Sequence, residues 1–329
     1  MKKHFFIVLF LCLITLINAQ EIYHKTFKLM GSRFDISVVC ANEKEAEKHI
    51  AMAVTEMSRI EHIISSWNGS SETSEVNRQA GIQPVRVSKE LFHLIKRANV
   101  ISKLTDGAFD ISYASMDRIW KFDGSMKRFP SIEKIKKSII KVGYQHIILN
   151  EKNQTIYLTK KGMKIGFGAI GKGFAADKAK ALLISKGVKA GIINASGDMN
   201  TWGKQPDGSY WNVAITNPMN KNSAFALLPL KKGAIVTSGN YEKYVQFNGQ
   251  KYSHIIDPRT GIPSKGILSV SVFSGSAELA DALATSIFVM GTEIGINRIN
   301  QLPNIECIII DDKGKVHTSK NININKNEK

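Results

Sequence analysis

A glycine-rich segment near the middle of the chain, KIGFGAIGKGFAADKA at residues 164–179, limits the folds that this sequence can adopt. Its glycines spell G-x-G-x-x-G, a dinucleotide-binding pattern, and the run from Gly166 to Lys172 also spells the G-x-x-x-x-G-K of a P-loop. Both patterns let backbone N–H groups approach a phosphate at a helix start. Each fails a second requirement. The following strand ends in Asn194 where a Rossmann unit needs an acidic residue, and Gly173 stands where a P-loop needs a hydroxyl.

The order of the predicted elements also argues against a doubly wound parallel sheet. Such a sheet alternates strand and helix throughout, whereas predicted hairpins interrupt the helices here, with Asn248-Gly249 as a strong turn signal. We therefore predict an α/β fold of mixed α+β type, with mixed or antiparallel sheets and flanking helices, that is neither Rossmann nor P-loop. The predicted helices are 42–67, 88–104, 131–142, 174–186 and 277–290. The predicted strands are 146–149, 155–158, 163–167, 191–194, 211–216, 234–237, 244–247, 250–256, 267–273, 305–310 and 316–318.

The N-terminus has the pattern of a secretory signal peptide. Lys2 and Lys3 precede an apolar run at 5–17 that is too short to span a bilayer, and Ala19 offers a small residue at the cleavage site. We predict a signal peptide at 1–19 and an exported mature chain, with an uncleaved anchor as the alternative. The mature chain is long enough for one large domain or two modest ones. Residues 320–329 are predicted to form a polar tail.

Charge and cysteine content exclude several function classes. The formal net charge is +17, but the lysines are scattered and aromatic residues do not interleave with them, so nucleic-acid binding is not expected. Only Cys40 and Cys307 follow the signal peptide, and no C-x-x-C occurs, which argues against a disulfide framework or a zinc ribbon. A single disulfide between these two cysteines is left open.

The segment AELADALATS holds a candidate metal site. Asp281 and Thr285 are four residues apart on a predicted helix, so they share a face. A carboxylate and a hydroxyl so placed suit a hard cation such as Mg²⁺. The alternative is that Asp281 is exposed to solvent and Thr285 packs in the core.

The segment KYSHIIDPRTGIP holds a candidate base. His254 lies three residues before Asp257 where a strand ends, which makes it a candidate for a general base or a phosphate contact. The alternative, a histidine that is only packed or solvated, is left open. Asp257 either orients His254 or orders the turn. In DGAFDIS, turn chemistry alone accounts for Asp106, whereas Asp110 remains a candidate. The glycine-centred loops NASGDMNTWG and VTSGNYEKY are either ordinary strand exits or sources of backbone donors to a ligand.

Eight segments occur in the order found in ApbE-type FAD:protein FMN transferases, and the chain resembles this family over about residues 30–291, nearly the whole mature chain. The segments are LMGSRFDISV, SSWNGSSETSEVN, TDGAFDIS, GFGAIGKGFAADKA, GIINASGDMNTWG, AIVTSGNYEKY, SHIIDPRTGIP and ADALATSIFVMG.

The resemblance implies one ApbE-like domain over 20–319 and an enzyme that uses FAD as its substrate and Mg²⁺ as its cofactor. Such an enzyme cleaves the FAD pyrophosphate, transfers FMN to a threonine hydroxyl of an acceptor protein and releases AMP. The expected acceptor is an exported domain of a membrane redox complex, and the expected location is the periplasm or the periplasmic face of the inner membrane. An exported FAD pyrophosphatase and a non-enzymatic FAD carrier are the alternatives.

The resemblance also assigns residues. The Ala169 carbonyl, Asp281 and Thr285 are expected to hold Mg²⁺, and His254 and Asp281 are expected to be catalytic. Gly171 and Gly173 are expected to leave room for FAD. Trp67 stands where many relatives carry Tyr near the flavin, and a large aromatic there favours transfer over hydrolysis. The expected FAD contacts are Met30, Ala108, Phe109, Asp110, Lys172, Asp177, Ser238, Gly239 and His254.

Overall fold

The structure, a computed structural model, describes residues 20–230, 233–240 and 244–322. The predicted signal peptide at 1–19 and the end of the predicted tail at 323–329 lie outside the described residues. Among the described residues, no helix combines the length and the apolar character that crossing a bilayer requires.

An eight-stranded sheet forms the centre of the fold. Every hydrogen-bonded strand pair in it is antiparallel, so the prediction of a fold that is not Rossmann is confirmed. In sheet order the strands are β1 (Glu21–Leu29), β2 (Ser32–Cys40), β6 (Gly191–Ala195), β7 (Asp198–Trp202), β10 (Gly233–Gly239), β13 (Ile267–Ser274), β14 (Glu306–Asp311) and β15 (Val316–Thr318). Three smaller sheets comprise β3 (Val85–Arg86), β5 (Thr155–Leu158) and β4 (Ile147–Asn150); β8 (Trp211–Asn217) and β9 (Asn220–Leu230); and β11 (Tyr244–Phe247) and β12 (Gln250–Ser253).

Seven α-helices accompany these strands in the described part of the chain. Their starts follow local capping rules: Asn42 accepts a hydrogen bond from the Glu45 N–H, and Ser276 accepts one from the Leu279 N–H. The helices are α1 (Glu43–Ile64), α2 (Glu72–Arg78), α3 (Lys89–Leu104), α4 (Ile132–Ser138), α5 (Gly171–Ser185), α6 (Ala277–Met290) and α7 (Thr292–Ile299).

Helices cover one face of the large sheet and a hairpin covers the other. On β10, Val236 packs against α6. The residue before it, Ile235, points to the opposite face of the sheet. Ile235 meets Val213 and Ile215 of β8, so the β8–β9 hairpin buries the second face. On the first face α5 packs between α1 and α6, which brings the glycine-rich segment to the middle of the molecule.

The structure differs from the predicted elements at several points. The prediction of a strand at 163–167 is wrong, because backbone N–H groups of this segment donate hydrogen bonds to acceptors that do not belong to a neighbouring strand. The Ile165 N–H donates to the Asn77 side chain, and the Gly166 N–H donates to the Ile111 carbonyl. The segment has no strand partner within the described chain. The helices predicted at 42–67 and 131–142 end earlier, and β1, β2, β3, β7, β9, α2 and α7 were not predicted.

The two cysteines of the described chain are unpaired and buried. Cys40 lies on β2 and Cys307 on β14, and four strands separate these two in the sheet. Five spacings of about 4.8 Å place the strands about 24 Å apart. A disulfide requires Cα atoms within about 7 Å, so the possibility left open by the sequence is excluded.

Candidate active site

Most of the predicted site residues converge on one cavity, which has a volume of 360 Å³. It lies where the turn before α5 meets α6, the end of β10 and the segment after β12. Met30 and Asp177 are not among the residues that line it. The predicted residues that do are Ala108, Phe109, Asp110, Ala169, Lys172, Ser238, Gly239, His254, Asp281 and Thr285.

Helices α5 and α6 approach each other closely at this cavity. A Cβ atom added to Gly173 would lie 2.2 Å from the Ala277 carbonyl oxygen, so only glycine permits this contact. The Gly173 N–H donates to the Asp281 Oδ2 atom at 3.3 Å. The N-terminus of α5 therefore faces the carboxylate of α6, where the helix dipole favours a negative charge.

The four glycines of the segment divide into two pairs. Gly166 and Gly168 line the cavities of the site, whereas Gly171 and Gly173 pack against the protein itself. A Cβ on Gly171 would lie 2.9 Å from the Ile64 side chain of α1. The expectation that Gly171 and Gly173 leave room for FAD is therefore wrong, because the space beside them is filled by α1 and α6.

Asp281 and Thr285 face the cavity from successive turns of α6, together with Ala169 from the turn before α5. Asp281 is only 4% exposed, so the alternative of a solvent-exposed carboxylate is excluded. Burial raises the pKa of Asp281, against the opposing effects of Lys172 and the Gly173 N–H. A desolvated carboxylate of this kind is stabilised by a cation.

The donor set fits Mg²⁺. One carboxylate, one hydroxyl and one carbonyl are hard oxygen donors, and Mg²⁺ in proteins commonly binds through one or two carboxylates plus substrate phosphates. The described residues contain no cluster of three or more His, Cys, Asp or Glu side chains that could hold a metal. A divalent ion here would thus depend on oxygens from the ligand as well as from Ala169, Asp281 and Thr285.

Lys172 lies between two carboxylates. Its ammonium forms an ion pair with Asp198, which is 2% exposed and also lines the cavity. Burial alone would lower the pKa of Lys172, but Asp281 and Asp198 together raise it. Burial and the nearby Asp281 raise the pKa of Asp198 to about 7, although Lys172 opposes this shift. The cluster therefore brings one ammonium group and two buried carboxyl groups together in the wall of the cavity.

Asp177 lies outside the cavity, at the N-terminus of α6. Its carboxylate accepts hydrogen bonds from the Ser276 hydroxyl at 2.6 Å and from the Ala277 and Glu278 N–H groups at 3.0 Å each. The Asn200 amide donates to it as well. Asp177 thus fixes the start of α6 to α5, and it acts on the cavity through the position of that helix.

Met30 and Asp110 are held by the fold in different ways. Met30 adopts a positive φ of 49° in the β1–β2 turn, and its N–H donates to Glu61 of α1. Its side chain lies beside Gly171, behind the cavity wall. Asp110 is buried and accepts N–H groups from Ser112 and Tyr144, both at 2.7 Å. Burial raises the pKa of Asp110, and these bonds oppose the shift.

His254 lies at the cavity mouth, exposed, with its ring 6.4 Å from the Phe122 ring in an edge-to-face arrangement. Asp257 orders the turn that follows, since its carboxylate accepts two side-chain N–H bonds and one backbone N–H bond from Arg259. Ser238 and Gly239, at the end of β10, line the same cavity.

A second cavity of 580 Å³ adjoins the first, and the two share Tyr113, Met116, Gly166 and Gly168. Trp67 lies on its wall with 80% of its surface exposed. The guanidinium carbon of Arg118 is 4.7 Å from the centroid of this ring, and Lys141 and Lys164 also line the cavity. This lobe therefore offers an aromatic face and positive charge.

Asp198 and Tyr113 are among the site residues that were not predicted from the sequence. Asp198 lies in NASGDMNTWG, which was treated as a glycine-centred loop, and only its position directly after a strand-ending turn could have drawn attention to it. Tyr113 shapes the junction of the two cavities, where a Cβ on Gly168 would lie 2.5 Å from its hydroxyl. No local motif indicates Tyr113.

Known proteins that resemble this chain in sequence belong to the family that its motifs indicated. Residues 30–309 match the sequence profile of the ApbE family. The chain is 28% identical over 293 residues to the FAD:protein FMN transferase of Klebsiella pneumoniae, covering 88% of this chain and 90% of the relative. It is 31% identical over 293 residues to the FAD:protein FMN transferase of Buchnera aphidicola, covering 86% and 85%.

Solved structures agree in fold. The crystal structure of the ApbE protein of Thermotoga maritima has a TM-score of 0.82 and 30% identity, covering 91% of this chain and 97% of that one. The flavin transferase ApbE of Vibrio cholerae has a TM-score of 0.79 and 27% identity over the same shares. The fold and site thus define an α/β transferase. This chain belongs to the ApbE family, which confirms the resemblance seen in its sequence.

Proposed function

We propose that this protein is a Mg²⁺-dependent FAD:protein FMN transferase that acts on an exported acceptor protein. The observation that carries the proposal is that one cavity is lined by the oxygen donors of α6, Asp281 and Thr285, which could bind a cation. Lys172 and His254 line the same cavity. The names of the relatives, FAD:protein FMN transferase, support the substrate and the product.

The shape of the site supports a dinucleotide substrate. Two adjoining cavities of 360 and 580 Å³ suit the two halves of FAD, which a diphosphate connects. Their junction lies at Gly168, next to Ala169 and three residues before the start of α5. We place the diphosphate at this junction and the flavin in the lobe that contains Trp67.

The chemistry assigned to the site is displacement at phosphorus. The threonine Oγ atom of the acceptor attacks the phosphorus of the FMN half, and an O–P bond forms. The bond from that phosphorus to the bridging oxygen breaks, and AMP leaves with this oxygen. The hydroxyl proton passes to His254, whose imidazole accepts a proton near neutral pH.

The other residues stabilise charge during this displacement. Lys172 places its ammonium beside the diphosphate, and Asp281, Thr285 and the Ala169 carbonyl would hold Mg²⁺. When bound, Mg²⁺ neutralises charge that develops on the phosphoryl oxygens. Ser238, Gly239 and the buried segment at Ala108–Asp110 also line the cavity, and they would exclude water from bound FAD.

Export is part of the proposal. The signal-like N-terminus at 1–19 would direct the chain to the periplasm or to the periplasmic face of the inner membrane. The acceptor would then be an exported domain of a membrane redox complex that presents a threonine.

The test is incubation of the protein with FAD, Mg²⁺ and a threonine-bearing acceptor, followed by intact-mass measurement of the acceptor and quantification of AMP. We expect the acceptor to gain one FMN less one water, with AMP in equal amount. Asp281→Asn should abolish both products, and His254→Gln should lower the rate by about 10²–10⁴-fold. Equal release of FMN and AMP without acceptor modification would identify a pyrophosphatase instead. Retention of FAD without AMP release would identify a carrier.

A further inference from the structure

Strand β7 presents polar residues to α5 at regular intervals. Asp198 and Asn200 are two residues apart and therefore point to the same face of the strand. Asp198 pairs with Lys172, and Asn200 contacts Asp177 and Lys180 farther along α5. The two-residue rise on the strand, about 6.8 Å, matches five residues of helix, about 7.5 Å. The pairing of Asp198 with Lys172 is thus fixed by the packing of α5 on β7.

Lys172 has two carboxylates within its reach but pairs with one of them. Its ammonium forms the ion pair with Asp198, whereas Asp281 accepts the Gly173 N–H and interacts with Lys172 only through space. Both carboxylates line the same cavity. This choice of partner leaves Asp281 in the cavity wall with no direct ion pair to Lys172.

We propose that Asp198 is the residue that positions the Lys172 ammonium for the reaction, holding it against the diphosphate of FAD and away from Asp281. The proposal rests on the proposed function. Asp198 is a positioning residue, because it acts through Lys172.

The physical need for such a residue follows from the lysine side chain. A lysine has up to about 2 kcal/mol of rotamer entropy to lose when it is fixed in one geometry. Without Asp198, the strongest remaining partner of Lys172 is Asp281, and a direct ion pair would neutralise the carboxylate that is expected to bind the cation. Asp198 therefore keeps the two functions of the cluster, phosphate contact and metal binding, on separate side chains.

A double-mutant comparison tests this dependence. Asp198→Asn keeps the shape of the side chain and should lower kcat for FMN transfer by about 10–100-fold, with a change in KM for FAD of less than about 3-fold. In a Lys172→Met background the same Asp198→Asn change should alter kcat by less than about 3-fold, since the residue that it positions is gone. Thr201→Val, on the opposite face of the same strand, is the matched control and should keep wild-type kcat.

A measurement without metal or substrate separates the proposal from the proposed function. In ¹⁵N-lysine-labelled protein in EDTA, the Lys172 ammonium should give a slowly exchanging NMR signal that persists in Thr201→Val and is lost in Asp198→Asn. Wild-type kcat in Asp198→Asn, equal losses in both backgrounds, or an unchanged ammonium signal would each overturn the positioning role. Absence of transfer by the wild-type protein, with the ammonium result as expected, would instead overturn the proposed function.

Discussion

The contact between α5 and α6 makes Gly173→Ala a sharp test of how the site is assembled. The added Cβ would lie 2.2 Å from the Ala277 carbonyl oxygen, 2.5 Å from its carbon and 2.8 Å from the Glu278 nitrogen. All three are backbone atoms, so no side-chain rotation relieves the clash. Because Cβ contacts below 3.0 Å do not occur in real proteins, the two helices must separate by at least 0.8 Å, the difference between 3.0 and 2.2 Å.

Two effects of this substitution oppose each other. Alanine is a better helix former than glycine by about 1 kcal/mol, which favours the variant. Overpacking of a well-packed core costs about 1–3 kcal/mol, and a clash with backbone belongs at the upper end of that range. We therefore expect a net loss of about 2 kcal/mol in the free energy of unfolding.

The effect on activity should exceed the effect on stability. Asp281 lies one turn into α6, so a shift of that helix moves the carboxylate away from Lys172 and from the Gly173 N–H. A misplacement of about 1 Å can cost about 10²-fold in rate. The assays are thermal unfolding and acceptor flavinylation under saturating FAD.

Gly275→Ala is the matched control, because it precedes the same helix and an added Cβ there meets nothing within 4 Å. It should retain both stability and activity. A Gly173→Ala variant with wild-type melting temperature and wild-type transfer rate would show that the α5–α6 contact does not set the geometry of the site.

Three further predictions follow from the described contacts. Asp177→Ala should destabilise the fold by about 1–2 kcal/mol through loss of the α6 cap and raise the Mg²⁺ concentration needed for half-maximal transfer; an unchanged metal requirement would contradict its role in placing α6. Trp67→Ala should leave the melting temperature unchanged, since the ring is exposed, but weaken FAD binding by about 1 kcal/mol or fivefold; fluorescence titration that finds equal affinity would exclude the ring as a flavin contact. In EDTA, the stability of wild type relative to Asp198→Asn should fall as pH rises from about 4 to about 7, because burial raises the folded pKa of Asp198 to about 7 and a raised acid pKa lowers stability above the unfolded value; denaturant titrations at several pH values that show the opposite slope would refute this shift.

Local sequence signals predicted one helix of the site in full and missed the first turn of the other, since α5 begins at Gly171 and not at the predicted residue 174. Helix α6 spans residues 277–290 as predicted, and the i, i+4 spacing correctly placed Asp281 and Thr285 on one side that faces the cavity. These features depend on neighbours within a few residues. The two glycine patterns were correctly rejected as Rossmann and P-loop signatures, since their secondary criteria are also local.

The parts that could not be predicted depend on residues distant in sequence. Glycine is required at position 173 because α6, about a hundred residues away in the chain, packs closely against it. The hydrophobic periodicity of the sequence gives no sign of that contact. Asp177 matched a family position for the flavin site, but its carboxylate is taken by the N-terminus of α6. Asp198 owes its place to the register of β7 against α5, which is a tertiary property.

The separation of Cys40 and Cys307 across four strands has a practical consequence. Because no disulfide contributes to the described fold, residues 20–322 need neither a thiol oxidase nor a disulfide isomerase to reach this fold. A version that starts at Gln20 should therefore fold in a reducing bacterial cytoplasm as well as in an oxidising compartment. Reducing agents can accordingly be kept throughout purification without loss of structure.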